Sequence, residues 1–195
     1  MSINYNYIDR RIIKSRKAMR DALVSLMQEK DLKDITISDI VVSAELNRGT
    51  FYKHYQYKED IFNEIIDEVI TDLIESYREP YKNIDMFEIN NLTSSAIKIF
   101  DHVSKYAKFY SLIFQSDTLI GFERKLCNVL KELALNDLID CFPTQPSINS
   151  ELHASYQAYA ILGLIIEWVT GGFKYSSSYM AGQLLEILKH NHTFS

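Results

Sequence analysis

The chain is poor in the residues that interrupt helices. Its 195 residues include 6 glycines and 3 prolines, too few for a turn-rich sandwich, for flexible linkers or for low-complexity tracts. There are only 2 cysteines, Cys127 and Cys141, with no C-x-x-C spacing and no neighbouring histidine pair. Neither a disulfide framework nor a zinc site is indicated, and no metal or cofactor is expected. Long apolar runs are missing as well. The longest, Ala158 to Ile166, falls far short of the roughly 20 residues needed to cross a bilayer. Met1 to Arg20 is broken by Asp9, Arg10, Arg11, Lys14, Arg16 and Lys17, which excludes the apolar segment of a signal peptide. A cytoplasmic protein with no membrane partner is the expectation. No H-E-x-x-H, G-x-S-x-G, P-loop or dinucleotide fingerprint occurs, and the carboxylates sit on charged helix faces. The expectation is therefore a protein that is not an enzyme and has no catalytic residues.

What is present favours a helical, two-part molecule. A hydrophobic fraction of 47% supports a sizeable core, and the length suits one and a half to two modest units. The net charge of −5 is unevenly spread: residues 1–60 hold eleven Lys and Arg against nine Asp and Glu, and residues 61–195 hold ten against seventeen. A slightly basic first third on an acidic remainder points to a polyanionic partner for the first part.

Helical periodicity runs through the whole chain. Ile8, Ile12, Met19, Leu23, Leu26 and Met27 recur at three- and four-residue steps and predict a helix over about 8–29, its first half cationic. After the polar break "EKDLKD", Thr36 with Asp39 reads as a capping box, opening a short helix with Ile37, Ile40, Val41 and Ala44 on one face. Asn47 caps a second short helix from Arg48 to about Tyr55. Ile61, Ile65, Val69, Leu73 and Tyr77 then mark a long helix from Lys58 to Glu79, stopped by Pro80. Five more helices are predicted over about 86–105, 107–115, 119–141, 149–170 and 178–190, with a loop at Pro143 and Pro146. The fold class is thus all-α with about nine helices, divided at about residues 1–60 and 61–195.

The stretch "LNRGTFYKHYQYKEDIF", residues 46–62, gathers five aromatics, two lysines, an arginine and a histidine. Two short helices joined by a tight turn and braced by a longer one form a helix-turn-helix unit, whose second helix enters the DNA major groove. At about 100° per residue, Phe51 and Tyr55 share the core face, while Gly49, Thr50, Tyr52 and Lys53 point elsewhere. Lys53 suits a phosphate or a guanine edge, Thr50 a hydrogen bond or a thymine methyl, and Tyr52 a phosphate. Gly49 in the first turn leaves backbone N–H groups open to a phosphate, with Arg48 adding charge. His54 lies on the flank, for a phosphate contact or for packing. The competing reading of the stretch is an aromatic core ringed by charge. The cationic first helix and the capped helix pair in the same segment favour double-stranded DNA as partner.

The segment "ITISDIVVSAELNRGTFYKHYQYKEDIF" resembles the DNA-binding region of the TetR/AcrR family of bacterial transcriptional regulators. The resemblance runs through Thr36, Ile40, Ala44, Gly49, Thr50, Phe51, Tyr52, His54, Tyr55, Lys58, Glu59 and Ile61. It implies DNA contacts from Thr36, Asn47, Arg48, Gly49, Thr50, Tyr52, Lys53, His54 and Lys58, the last on the DNA backbone. Two positions depart from the family pattern: Glu45 replaces the usual turn glycine, and Asn47 the frequent serine cap. Further on, "AYAILGLIIEWVTGGFKYSSSYMAGQLLEIL" resembles the C-terminal segment of a Firmicutes-type subset, with Trp168 and Gly171 before a final helix.

Ala158 to Ile166 gives its helix no solvent face, so cover from a second copy is expected, a homodimer using Tyr159, Ala160, Gly163 and Ile166 with Leu184 and Leu188 of the last helix. The competing reading is a central helix buried within one subunit. Paired recognition helices would read a near-palindromic site. Tyr106, Phe109, Tyr110 and Phe114 recur at helical spacing and line either a ligand cavity, together with His102 and Tyr156, or a packed core. His153 and Glu167 are further isolated polar groups. The resemblance implies a repressor whose small-molecule effector changes the tilt of the fourth helix. The rival function is a regulator-like adaptor or co-activator working mainly through protein partners.

Overall fold

Short polar side chains start the two small helices near the N-terminus. In the computed structural model, the Asp39 N–H donates to the Thr36 hydroxyl at 3.1 Å and the Thr36 N–H donates to the Asp39 carboxylate at 2.8 Å, a complete capping box. The Thr50 N–H donates to the Asn47 side-chain oxygen at 2.8 Å. Each device satisfies donors that a first helical turn leaves unpaired. Lys30 reinforces the first one, 2.7 Å from Asp39. The Lys30 hydrogen bond, followed by those from Thr36, holds the Asp39 carboxyl at about 2, well below its ordinary value.

The structure describes residues 5–79, 93–94, 97–115, 121–137 and 148–192. Their helices are α1, Tyr5–Leu26; α2, Ile37–Ser43; α3, Arg48–Tyr52; α4, Lys58–Arg78; α5, Ile99–Lys105; α6, Ala107–Gln115; α7, Phe122–Asp137; α8, Ser150–Thr170; and α9, Ser177–His192. A 3₁₀ turn, Leu32–Asp34, lies inside what the sequence offered only as a polar break. Among the described residues there is no strand, and the all-α expectation holds. The stop at Pro80, the helix start at Met86, Leu119, Cys141 and the Pro143–Pro146 loop lie outside the described residues, as does the Ile8 side chain.

The chain divides into two compact units, residues 1–68 and 69–195. In the first, α2 packs on α1 and on α3. Its core is Met19, Leu23, Met27, Ile35, Ile40, Val41, Phe51, Tyr55, Ile61 and Ile65, each large side chain stabilising by about 1.5–3 kcal/mol on burial. The apolar face read along α1 is buried only from Met19 onward, and Ile12 and Ile13 are exposed.

The turn after α2 needs a left-handed residue. Leu46 N–H donates to Val41 O at 2.8 Å and Glu45 N–H to Val42 O at 3.1 Å, the Schellman pattern that closes a helix C-terminus. Glu45 occupies the left-handed position with φ 54°, where the family pattern has glycine. A side chain there costs about 1 kcal/mol.

In the second unit α8 packs against α6 and α7, and α9 against α5. Ala154, Ala158, Leu162, Ile165, Trp168 and Val169 form its inner face. Trp168 donates its Nε1–H to Tyr175 O at 2.9 Å and meets the rings of Phe100 and Phe173 edge-on at 5.7 and 5.0 Å. A Cβ at Gly171 would stand 2.9 Å from the Glu167 carbonyl oxygen, so a side chain there would force the helix end to shift.

Candidate nucleic-acid interface

The five residues of α3 are anchored from one side. Phe51 is fully buried, its ring meeting Tyr52 edge-on at 5.3 Å and Tyr55 tilted at 5.9 Å. Tyr55 is tied down beyond packing, because its hydroxyl donates to Glu64 Oε2 at 2.7 Å. Glu64 also takes Arg16 at 2.7 Å and Arg20 at 2.6 Å, and Arg20 reaches Glu68 at 3.0 Å. Burial pushes the Glu64 carboxyl up, but the hydrogen bonds from Arg16 and Tyr55 and the two guanidinium charges outweigh it, leaving the group below its ordinary value. Burial first, then the Glu64 hydrogen bond, raises the Tyr55 phenol to about 12. Both partners therefore hold their hydrogen-bonded forms at neutral pH.

With Phe51 and Tyr55 turned inward, Arg48, Gly49, Tyr52 and Lys53 are all exposed, along with Asn47 and Thr36. Thr50 and His54 are half-buried. The Thr50 hydroxyl donates to Asn47 at 3.2 Å, which leaves its lone pairs and its methyl for a partner. The Thr36 hydroxyl oxygen accepts from the Asp39 N–H. His54 lies at 6.3 Å from the Tyr55 ring, on the flank of the helix. A Cβ at Gly49 would meet only the Asn47 side chain, at 3.2 Å, so this end of α3 is open to an approaching group.

Lys58 differs from the expectation drawn from the family pattern. Its ammonium donates to the carbonyl oxygens of Leu32, Lys33 and Ile35 at 2.7, 3.0 and 2.7 Å. All three of its N–H groups are engaged inside the protein, because α4 begins beside the 3₁₀ turn and Ile35, the residue that ends it.

A family described as "Bacterial regulatory proteins, tetR family" matches residues 20–65, and one described as "Transcriptional regulator C-terminal region" matches residues 90–190. The chain belongs to the TetR family of transcriptional regulators. An uncharacterized HTH-type transcriptional regulator of Bacillus subtilis, YxbF, is 38% identical over 151 residues. The match covers 77% of this chain and 38% of that relative, so the chain spans well under half of the relative's length. Solved TetR-type folds are also similar. The dihydroxyacetone kinase operon activator DhaS superposes with a TM-score of 0.65 at 21% identity, covering 91% of this chain and 95% of that one. NalD of Pseudomonas aeruginosa, the secondary repressor of the MexAB-OprM efflux pump, gives 0.62 at 18%, covering 91% and 96%. Regulators of the TetR family bind DNA and are generally not enzymes.

The remaining residues singled out in this TetR-family sequence are distributed in a different way from the expectation. His102 is buried, with Nδ1 2.6 Å from Asp72 and Nε2 2.9 Å from the Tyr110 hydroxyl. The neutral ring thus donates to the carboxylate and accepts from the phenol. Burial lowers the His102 basicity and Asp72 only partly restores it. Phe109 and Tyr110 are buried, and Tyr106 and Phe114 half-buried. The Tyr106 ring lies tilted and the Tyr110 ring edge-on to His102, and Phe114 lies against Tyr110. Tyr156 is not among them. It is 61% exposed on α8 with Leu152 at 71% and Tyr159 at 67%, because a 3.6-residue period turns these positions away from the buried Ala154, Ala158 and Leu162. On the single chain α8 therefore has an uncovered face, continued by Ala160 and Gly163. Ile166 and Leu188 are half-buried, and Leu184 is buried in the subunit's own core, not on that face.

Sequence reasoning overlooked Glu64 and Asp72. The available signal was a carboxylate set among the apolar positions of one helix, Glu64 beside Ile61 and Ile65 and Asp72 beside Leu73. Such a placement demands a partner. Among the described residues no group of three or more His, Cys, Asp or Glu could hold a metal, and no helix is long and apolar enough to cross a membrane. Cys127 is a buried free thiol.

Proposed function

We propose that the protein is a ligand-responsive repressor that binds a near-palindromic operator as a homodimer, with α3 as its reading helix. The observation that carries the DNA reading is the exposure of Arg48, Gly49, Tyr52 and Lys53 on a helix whose opposite residue, Phe51, is fully buried. Lys53 and Arg48 supply charge, Tyr52 a hydroxyl, and the open first turn backbone donors. Thr36, Asn47, Thr50 and His54 frame the same surface. Recognition helices of two copies would stand about 34–36 Å apart on one face of the duplex.

The dimer reading is supported by the stripe Leu152, Tyr156, Tyr159, Ala160 and Gly163, which is apolar and uncovered on the single chain. An uncovered apolar face of this kind marks an association surface. The effector reading is supported by the aromatic and polar cluster around His102. A ligand that competes for Asp72 or the Tyr110 hydroxyl would have to break buried hydrogen bonds, and so would move the elements that carry them. The similar folds include a protein named an activator and one named a repressor, so the sign of regulation is tested on the target gene itself.

Genome-wide mapping of bound DNA supplies the operator, and its affinity is then measured from 50 to 200 mM salt. Binding should weaken steeply, with log K linear in log salt, and Lys53→Ala should reduce the slope by about one. A flat response would remove the DNA reading and favour the protein-partner one.

A further inference from the structure

We infer that Lys58 is a positioning residue for the DNA-reading surface, a clamp that holds the entry of α2 to the first turn of α4, and that it makes no phosphate contact through its ammonium. This rests on the DNA-binding reading above.

The segment between α1 and α2 closes on itself through a single 3₁₀ turn and an exposed Lys33–Asp31 ion pair at 3.1 Å. Asp34 N–H donates to Asp31 O at 2.9 Å and Ile35 N–H reaches Leu32 O at a long 3.3 Å. The 3₁₀ turn has no side-chain cap, and none of its residues is buried. Beyond the long Ile35 bond to Leu32, the carbonyls along this turn have acceptor capacity to spare. Lys58 takes up that capacity, with one donor for each of three carbonyl oxygens within 3.0 Å. An ammonium has three donors and no more, so a phosphate could be reached only by releasing one of these bonds.

What the clamp fixes is the start of α2. Ile35, one of the clamped residues, is 1% exposed and anchors the segment in the core. Thr36 follows directly and is both the cap of α2 and an exposed residue of the proposed DNA surface. Lys30 to Asp39, at 2.7 Å, holds the same end from the other side. Lys58 also begins α4, which carries Glu64 and through it Tyr55. One side chain therefore sets the register between the cap of α2 and the helix that anchors α3. Charge-assisted bonds to carbonyls hold such a register more firmly than neutral ones.

The test uses the full chain, the operator recovered by mapping, and two variants. Lys58→Met keeps the stem and removes the charge. Lys58→Arg keeps the charge, but its planar fork cannot serve three carbonyls arranged around a point. Both variants should weaken specific binding about tenfold while leaving the salt slope at the wild-type value, and both should speed amide exchange at Ile35 in the DNA-free protein. Full binding by Lys58→Arg together with a slope lowered by about one in Lys58→Met would instead make Lys58 a direct phosphate ligand. Unchanged exchange at Ile35 would also overturn the clamp. Exchange is measured without DNA, so failure of the wild type to bind DNA would sink the regulator reading while the clamp is still judged.

Discussion

The surfaces of α3 and α8 make an instructive pair. Both helices bury one side and leave the other open, but α3 opens Arg48, Gly49, Tyr52 and Lys53, whereas α8 opens Leu152, Tyr156, Tyr159, Ala160 and Gly163. The first set carries two charges beside one tyrosine and is suited to a charged, wet partner. The second exposes apolar area that water disfavours, which suits a dry partner of the same kind. A second pair lies along α4. Glu64 gathers Arg16, Arg20 and Tyr55 in a half-solvated network, while Asp72 holds His102 and Lys105, with Tyr110 behind the histidine in the core. The two carboxylates are about equally exposed, at 20% and 23%; what differs is the donor behind them, since His102 and Tyr110 are buried while Arg16 and Arg20 stay partly solvated.

The largest effect is expected from breaking the dry surface. Tyr159→Glu should leave the subunit folded, since that side chain is 67% exposed, yet abolish self-association and lower specific DNA affinity by about 100-fold or more. Sedimentation and operator titration check it, and a monomer that binds as tightly as wild type would end the dimer reading.

Removing one phenol from each polar network sharpens the second comparison. Tyr110→Phe leaves the buried His102 Nε2 without its donor and should cost about 1–3 kcal/mol. Tyr55→Phe should cost under about 1 kcal/mol, because Glu64 keeps two guanidinium partners and access to water. Equal losses in denaturant melts would show that the networks do not differ in solvation. Acid separates them as well. His102 titrates below its ordinary 6.5 in the fold, so the unfolded chain takes up the proton first and stability falls as pH drops through about 6.5. Asp72 and Glu64 are held below their ordinary values, so the stability they contribute is present above about pH 4 and is lost below it. His102→Gln should remove the upper of these two steps from a melting profile against pH.

The smallest effect concerns the edge of the wet surface. Glu45→Gly relieves a φ of 54° and should raise stability by about 1 kcal/mol. It also removes a negative charge beside α3, so operator affinity should rise a few-fold at low salt and less at high salt. A melt and a salt series measure the two parts independently.

Much of the helical framework was readable from the residues. The capping box of Thr36 and Asp39, the Asn47 cap and the period of Ile61, Ile65, Val69, Leu73 and Tyr77 are local signals, and each appears in the structure where its spacing put it. The inward turn of Phe51 and Tyr55 was equally legible, since it follows from helical geometry alone. Leu184 and Tyr156 were not. Both stand at apolar helical positions, and which flank of a helix meets a neighbour depends on that neighbour's placement.

What the sequence determined by itself is therefore whatever depends on spacing along the chain: helix starts, their faces, and the family pattern at α2 to α4. Tertiary structure alone decided where side chains with long reach spend their hydrogen bonds. Lys58 carries the same charge in either role, and only the approach of the 3₁₀ turn, more than twenty residues earlier, commits it to carbonyls. His102 is likewise a polar residue on an apolar helix until Asp72 and Tyr110 are brought to its two nitrogens. Such pairings are between residues distant in sequence, and no local periodicity encodes them.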